Sequence, residues 1–256
     1  MTAPGRVAFV RFADGPSVRY AIVEGDRVFP IRGEPFDEWQ ATGEAIPLAE
    51  IRILPPTAPS KVLAVGRNYR SHAGDRRVPE APEIFFKAPS AVIGHGDPIV
   101  LPEGGPECHH ELEMVAVVGR RATRVPPERA LEHVLGVTCG NDVSARDWQR
   151  SDLQWWRAKG SDTFAPCGPF VVSGIDYGAI DMELRVNGEV RQRQSTADMI
   201  FDVGRIVSWI SRHVTLEPGD LIFTGTPGTT GPLLPGDVVE VELGGVGLLR
   251  NPVRGG

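Results

Sequence analysis

The segment His110-Glu111-Leu112-Glu113-Met114-Val115-Ala116-Val117-Val118 carries two glutamates one residue apart and then runs into an unbroken apolar stretch. Side chains alternate across a strand, so on a strand Glu111 and Glu113 share a face, about 7 Å apart along the backbone. The Val115–Val118 run sets that strand beside a core. Two carboxylates on one face near a core repel unless something positive lies between them. The alternative is a solvated strand face, the usual setting of a lone Glu-x-Glu. His110 alternates to the opposite face and reads as a packed or supporting histidine, not a ligand.

Outward from this strand, the chain reads as many short strands joined by specific turns. Val7–Phe12 and Val18–Pro30 have strand character, with Gly25-Asp26 at a hairpin turn. Lys61–Val65, Ile84–Phe86, Ile99–Leu101, Leu221–Thr224 and Val238–Leu243 follow the same pattern. Met182–Val186 and Glu189–Gln194 flank Asn187-Gly188, the strongest short hairpin signal. Helices are expected over Pro127–Leu135, after Pro126, and over Met199–His213, where Ile200, Val203, Ile206, Val207 and Ile210 line one face. The expectation is a β-rich α+β protein. Pro55-Pro56-Thr57-Ala58-Pro59 breaks the chain, because proline fixes φ and cannot donate to a ladder. It divides a small N-terminal β domain, residues 1–57, from a larger domain, residues 58–256; otherwise it is a loop inside one domain.

Charge excludes several classes. The 256 residues hold 27 Lys+Arg and 33 Asp+Glu, a net −6, which disfavours nucleic acid, whose binding rests on many phosphate contacts from Lys and Arg. No run of about 18 apolar residues offers a membrane span, and Met1–Arg11 lacks the pattern of a secretory signal. With 41% hydrophobic and 23% charged residues the chain is globular. Cys108, Cys139 and Cys167 form neither a CxxC pattern nor an even set, so they read as reduced thiols of a cytoplasmic protein.

A second acidic candidate is Asp142, in Gly140-Asn141-Asp142-Val143-Ser144-Ala145-Arg146-Asp147-Trp148-Gln149, at the end of the apolar Leu135–Thr138 run. A helix starting near Val143 would put Asp142, Arg146 and Gln149 near one face; Asp142 could equally cap that helix. Glu111, Glu113 and Asp142 together make a hard, all-oxygen set suited to Mg2+ or Mn2+ and unsuited to structural zinc. Lys159 lies between apolar patches, as does Lys87. Each is either a surface lysine with a buried stem or a desolvated functional amine. For Lys159 the reading that it points into a metal pocket carries with it packing by Trp155, Trp156 and Phe164. His72 and Asp75 stand one helical turn apart, and an aspartate can orient an imidazole. Thr224-Gly225-Thr226-Pro227-Gly228 is a strand end whose free N–H groups and hydroxyls can hold an anion, or an ordinary tight turn.

In this order, Gly66-Arg67-Asn68-Tyr69 with His72, Phe85-Phe86-Lys87-Ala88-Pro89-Ser90, His110-Glu111-Leu112-Glu113, Asn141–Asp147, Lys159 and Thr224–Gly228 resemble the fumarylacetoacetate hydrolase family. The resemblance runs from Lys61 to about Val253. It implies a mixed β-roll core, a divalent cation (Mg2+ or Mn2+) and a homodimer. It also implies metal ligands Glu111, Glu113 and Asp142, and catalytic groups His72, Asp75 and Lys159. Many relatives have glutamate where Asp75 stands. Arg67, Lys87, Arg146, Gln149 and Thr226 are the implied substrate-binding residues.

The substrate implied is a small 2-oxo or 2,4-dioxo acid, as in aromatic catabolism, chelated through its carboxylate and keto oxygen. The first expectation is hydrolysis of a C–C bond in an acylpyruvate through a metal-stabilised enolate, with His72 activating water and Lys159 stabilising charge. The alternative is a decarboxylase, or an isomerase of the 2-hydroxyhepta-2,4-diene-1,7-dioate type, using the same enolate. Arg70–Glu83, poor in large apolar residues, is expected to act as a lid that folds a short helix around His72 and Asp75 when a 2-oxo acid binds.

Overall fold

The computed structural model describes residues 5–74 and 77–256. Its central strand is Leu112–Val118, buried along its whole length. Such a strand needs partners on both edges and apolar layers on both faces, and it has them. Val134–Asn141 and Leu221–Phe223 pair with it, both antiparallel. The large sheet runs from Trp39–Ala41 through Arg27–Gly33, Ser17–Glu24, Val7–Asp14, Ala165–Ser173 and Val134–Asn141 to Leu112–Val118. It continues through Leu221–Phe223 and Val62–Gly66 to Glu83–Lys87. The pairing of Leu221–Phe223 with Val62–Gly66 is parallel, so the sheet is mixed.

A second sheet orders Ile99–Leu101, Gly247–Gly255, Val238–Leu243, Asp181–Val186 and Glu189–Ser195. One apolar cluster joins the two sheets, with Val137, Val172, Leu184, Val241 and Leu249 among its members. The β-rich α+β class expected from the turn pattern is the class observed. The N-terminal strands bury their own small cluster of Val10, Phe12, Ala21 and Val28. Yet Val7–Asp14 lies antiparallel along Ala165–Ser173, so these strands extend the large sheet.

Three helix expectations need correction. Pro127–His133 is a 3-10 helix, opened by an i→i+3 bond from Arg129 N to Pro126 O. The amphipathic helix spans Val203–Ser211, shorter than Met199–His213. Asp202 Oδ1 accepts from Arg205 N at 2.7 Å and caps it, while Ile200 N is already committed to Asn68 O. Finally, no helix begins at Val143: Ser144-Ala145 pairs with Cys108-His109, and the helix is Arg146–Ser151. Asp142 is therefore not its cap.

Gly140 faces Glu113 across the Leu112–Val118 pairing. A Cβ there would lie 2.3 Å from Val115 Cγ2 and 2.9 Å from the Phe223 ring. Gly140→Ala is expected to destabilise the fold by about 1–3 kcal/mol through overpacking, read as a lower midpoint in urea unfolding. An unchanged midpoint would show that the three strands are less tightly packed than this.

Candidate active site

Pairing at one end of the central strand assembles the carboxylates. Asp142 N donates to Glu111 O at 3.0 Å, and Glu111 N donates to Asn141 Oδ1 at 2.9 Å. Asp142 thereby sits beside Glu111, and the strand period turns Glu113 to the same side. The three carboxylates offer oxygens all within 4.8 Å of one another, and all three residues are buried.

Cations surround two of them. Lys159, near the end of the Trp156–Gly160 helix, donates to Glu111 Oε2 at 2.7 Å and Asp142 Oδ2 at 2.6 Å. Lys87 Nζ donates to Asp142 Oδ1 and to the Lys159 carbonyl. Arg146 Nη2 donates to Glu111 Oε1 and to Thr230 Oγ1. Glu113 has no cation partner among the described residues; its Oε2 accepts from Gly225 N at 2.7 Å. That contact depends on glycine: Gly225 has φ +102°, and a Cβ there would meet Asn68 Cβ at 2.6 Å.

The proton equilibria follow this asymmetry. Burial pushes Glu111 up, but the charges of Lys159 and Arg146 overcome it and hold the carboxyl well below its ordinary range. Burial and the facing charges of Asp142 and Glu111 drive Glu113 well above its ordinary value. For Lys159 burial opposes the charged form, but Asp142 and Glu111 more than offset it. A three-oxygen donor set with one carboxylate left uncompensated fits a hard divalent cation, held by Glu111, Glu113 and Asp142.

A cavity of about 620 Å³ opens over the carboxylates. Arg67, His72, Arg146, Gln149, Lys159 and Thr226 line it with the three acids. Lys87 does not; it lies beneath, fully buried against Asp142. Phe85, not the expected Trp156, covers Lys159, its ring centroid 5.0 Å from Nζ; Trp156 is 73% exposed. His72 sits on the Arg70–Ala73 helix, with Nδ1 2.7 Å from Gly228 O. A carbonyl can only accept, so Nδ1 carries a proton, and in the neutral ring Nε2 is the basic atom. Asp75, the expected orienting partner, lies outside the described residues. Arg67 takes φ 60° and pairs with Glu83 at 2.6 Å on the cavity rim. Glu83, Arg150 and Thr230, none of them given a role by the sequence, also line the cavity, as does Trp155, which was expected beside Lys159. Glu83 ends the Arg70–Glu83 segment and Gly228 ends the Thr224–Gly228 turn, but neither carries an assigned task there.

A buried acidic triad under a cation-rimmed cavity, at a strand end of a mixed β fold, is an all-oxygen site of the kind that enzymes use to hold a divalent metal. The chain belongs to the fumarylacetoacetate hydrolase family: the profile described as "Fumarylacetoacetate (FAA) hydrolase C-terminal" matches residues 61–254. A second, "Rv2993c-like, N-terminal", matches residues 8–56. The structure of 5-carboxymethyl-2-hydroxymuconate delta-isomerase from Mycobacterium smegmatis is 45% identical, with TM-score 0.92, covering 97% of this chain and 100% of that one. That of 2-hydroxyhepta-2,4-diene-1,7-dioate isomerase from Mycobacterium marinum is 42% identical, with TM-score 0.91, covering 97% and 98%. Oxaloacetate tautomerase FAHD2A, mitochondrial, of Bos taurus is 40% identical over 223 residues, 81% of this chain and 71% of its own length.

Proposed function

We propose that this enzyme moves a proton within a small 2-oxo acid, interconverting keto and enol forms or shifting a double bond. The observation that carries the reading is the His72–Gly228 contact, which leaves a basic Nε2 on an imidazole that lines the cavity above the acidic triad. His72 Nε2 takes a proton from the carbon next to the keto group, and the electron pair left behind moves onto the keto oxygen. The same imidazole returns the proton to oxygen or to a more distant carbon, so the atoms balance without water. Lys159 uses two of its three ammonium hydrogens on Glu111 and Asp142, leaving one for a substrate oxygen. Mg2+ or Mn2+ bound by Glu111, Glu113 and Asp142 would supply Lewis-acid polarisation of a carbonyl oxygen. Arg67, Arg146, Gln149 and Thr226 bind the substrate's carboxylate and tail, and Lys87 supports Asp142 from below.

C–C hydrolysis is the first expectation from the sequence; the isomerase and tautomerase names of three relatives support placing the proton shift ahead of it in this reading. Hydrolysis of a 2,4-dioxo acid stands as the second reading, since the same Nε2 could take its proton from water. Oxaloacetate, a hydroxymuconate-type diacid and acetylpyruvate, assayed side by side with Mg2+, separate the two. We expect enol formation and exchange of the oxaloacetate methylene protons into D2O, with slow cleavage of acetylpyruvate. Rapid cleavage without exchange would sink the isomerase reading. His72→Gln should lower turnover by about 100- to 10,000-fold while Mg2+ affinity, read by calorimetry, stays at the parent value.

The homodimer and the cytoplasmic setting belong to this proposal. Three buried free thiols support a reducing compartment, and no described helix is long and apolar enough to cross a membrane. Beside the cavity, Phe86 (53% exposed), Leu153 (99%) and Trp156 (73%) form an apolar patch of the kind that a second copy covers. Sedimentation should show a dimer for the parent and a monomer for Leu153→Glu with Trp156→Glu. A parent monomer, or a variant that stays dimeric, would place association elsewhere or remove it.

A further inference from the structure

On the Glu189–Ser195 strand, at the edge of the second sheet, Gln192 is the one fully buried residue. A buried amide on an edge strand is unfavourable unless every donor and acceptor is met. Gln192 meets all four. Its Oε1 accepts from Leu112 N and His110 Nδ1, both at 2.9 Å. Its Nε2 donates to Thr226 Oγ1 at 2.9 Å and to Pro227 O at 2.6 Å. Two of these partners admit one role each: a backbone N–H only donates and a backbone carbonyl only accepts. They therefore fix which end of the amide is oxygen and which is nitrogen.

The consequence falls on Thr226. Its hydroxyl already accepts from Gln192, so its own proton must point to another acceptor. Among the described residues it has none, and Thr226 lines the cavity over the triad. We infer that Gln192 is a positioning residue that turns Thr226 into a hydrogen-bond donor to an anionic oxygen of the bound 2-oxo acid. The same amide ties the start of the Glu113 strand to the turn whose Gly225 N holds Glu113, so the donor is set in register with the acidic triad. Nothing in the edge strand's sequence signals this. Its other residues up to Arg193 are exposed, and the inward glutamine touches no ligand itself.

The inference rests on the proposed 2-oxo acid chemistry, so the test uses binding and not turnover. The probe is oxalate, titrated by calorimetry into Mg2+-saturated protein. Gln192→Glu removes both amide hydrogens and supplies an acceptor that draws the Thr226 proton away from the cavity. Oxalate should bind about 10- to 100-fold more weakly, the worth of one hydrogen bond to a charged group. Thr226→Val should weaken it similarly, Thr226→Ser should restore it, and Gln192→Glu should then add little in the Thr226→Val background. A merely structural role would give additive losses and would overturn the inference. Failure of the parent to bind oxalate would overturn the functional reading, and this role with it. Should Gln192→Glu not fold, Gln192→Met carries the same cycle, because it removes the amide donor that makes the Thr226 hydroxyl an acceptor and so leaves its proton unfixed. Additivity there overturns the inference equally.

Discussion

Replacing Glu113 by Gln should make the metal-free protein more stable and remove most of its stabilisation by Mg2+. Glu113 is buried, faces Glu111 and Asp142, and has no cation partner among the described residues. Glutamine keeps the acceptor for Gly225 N and removes the charge. In chelator the gain is about 1–3 kcal/mol, from loss of like-charge repulsion, or roughly 2–10 °C for a chain of this size. The sign with pH follows from the raised value of Glu113. The folded protein holds that proton after the unfolded chain has released it. The metal-free parent therefore loses stability as pH rises from the ordinary glutamate range towards the raised value, and the variant lacks that slope. With Mg2+ at about 100 times its Kd, the parent gains about 2.7 kcal/mol and Glu113→Gln gains far less. Thermal unfolding in chelator and in Mg2+ reads both effects. A variant with an undiminished Mg2+ shift would remove Glu113 from the ligand set.

The second large effect also pairs opposite signs. Lys159 holds the Glu111 and Asp142 oxygens that a divalent ion would share. Unit charges about 4 Å apart interact by about 4 kcal/mol at an effective dielectric of 20. Lys159→Met relieves a fraction of that repulsion, so Mg2+ should bind at least about tenfold more tightly, roughly 1.4 kcal/mol. Turnover should nonetheless fall by about 100- to 1,000-fold, because a donor to the developing oxygen charge is gone. The metal-free variant should lose about 3–5 kcal/mol, since two buried carboxylates lose their shared cation. Calorimetry, turnover on oxaloacetate and urea unfolding in chelator report the three quantities. Weaker Mg2+ binding, or parent-level turnover, would show that Lys159 serves packing alone.

Strand-level order was legible in the residues because period-two alternation and turn chemistry are local. The Asn187-Gly188 hairpin, the Gly25 turn and the buried run after Glu113 all sit where those rules place them. Helix limits were less legible, because they depend on bonds to distant residues. Asn68 claims the backbone before Val203, and Cys108-His109 claims Ser144-Ala145. The acids and Lys159 could be named because each stands in a short motif. Read alone, though, Lys159 and Lys87 looked alike: lysines between apolar patches.

Sequence by itself determined the β-rich class, the family resemblance and the identity of three carboxylates on strand ends, since period, turn residues and motif order are properties of the chain alone. Only the tertiary structure decided which cation serves which acid: Lys159 bridges Glu111 and Asp142 at the cavity, while Lys87 is sealed beneath Asp142. It also decided that His72 is oriented by the carbonyl of Gly228, and that Gln192 from another sheet sets Thr226. The reason is range. Alternation and turn preference act over two to four residues, whereas Lys87 and Asp142 are 55 residues apart and His72 and Gly228 are 156 apart. Those contacts exist only once the sheets have closed and water has left the space between them.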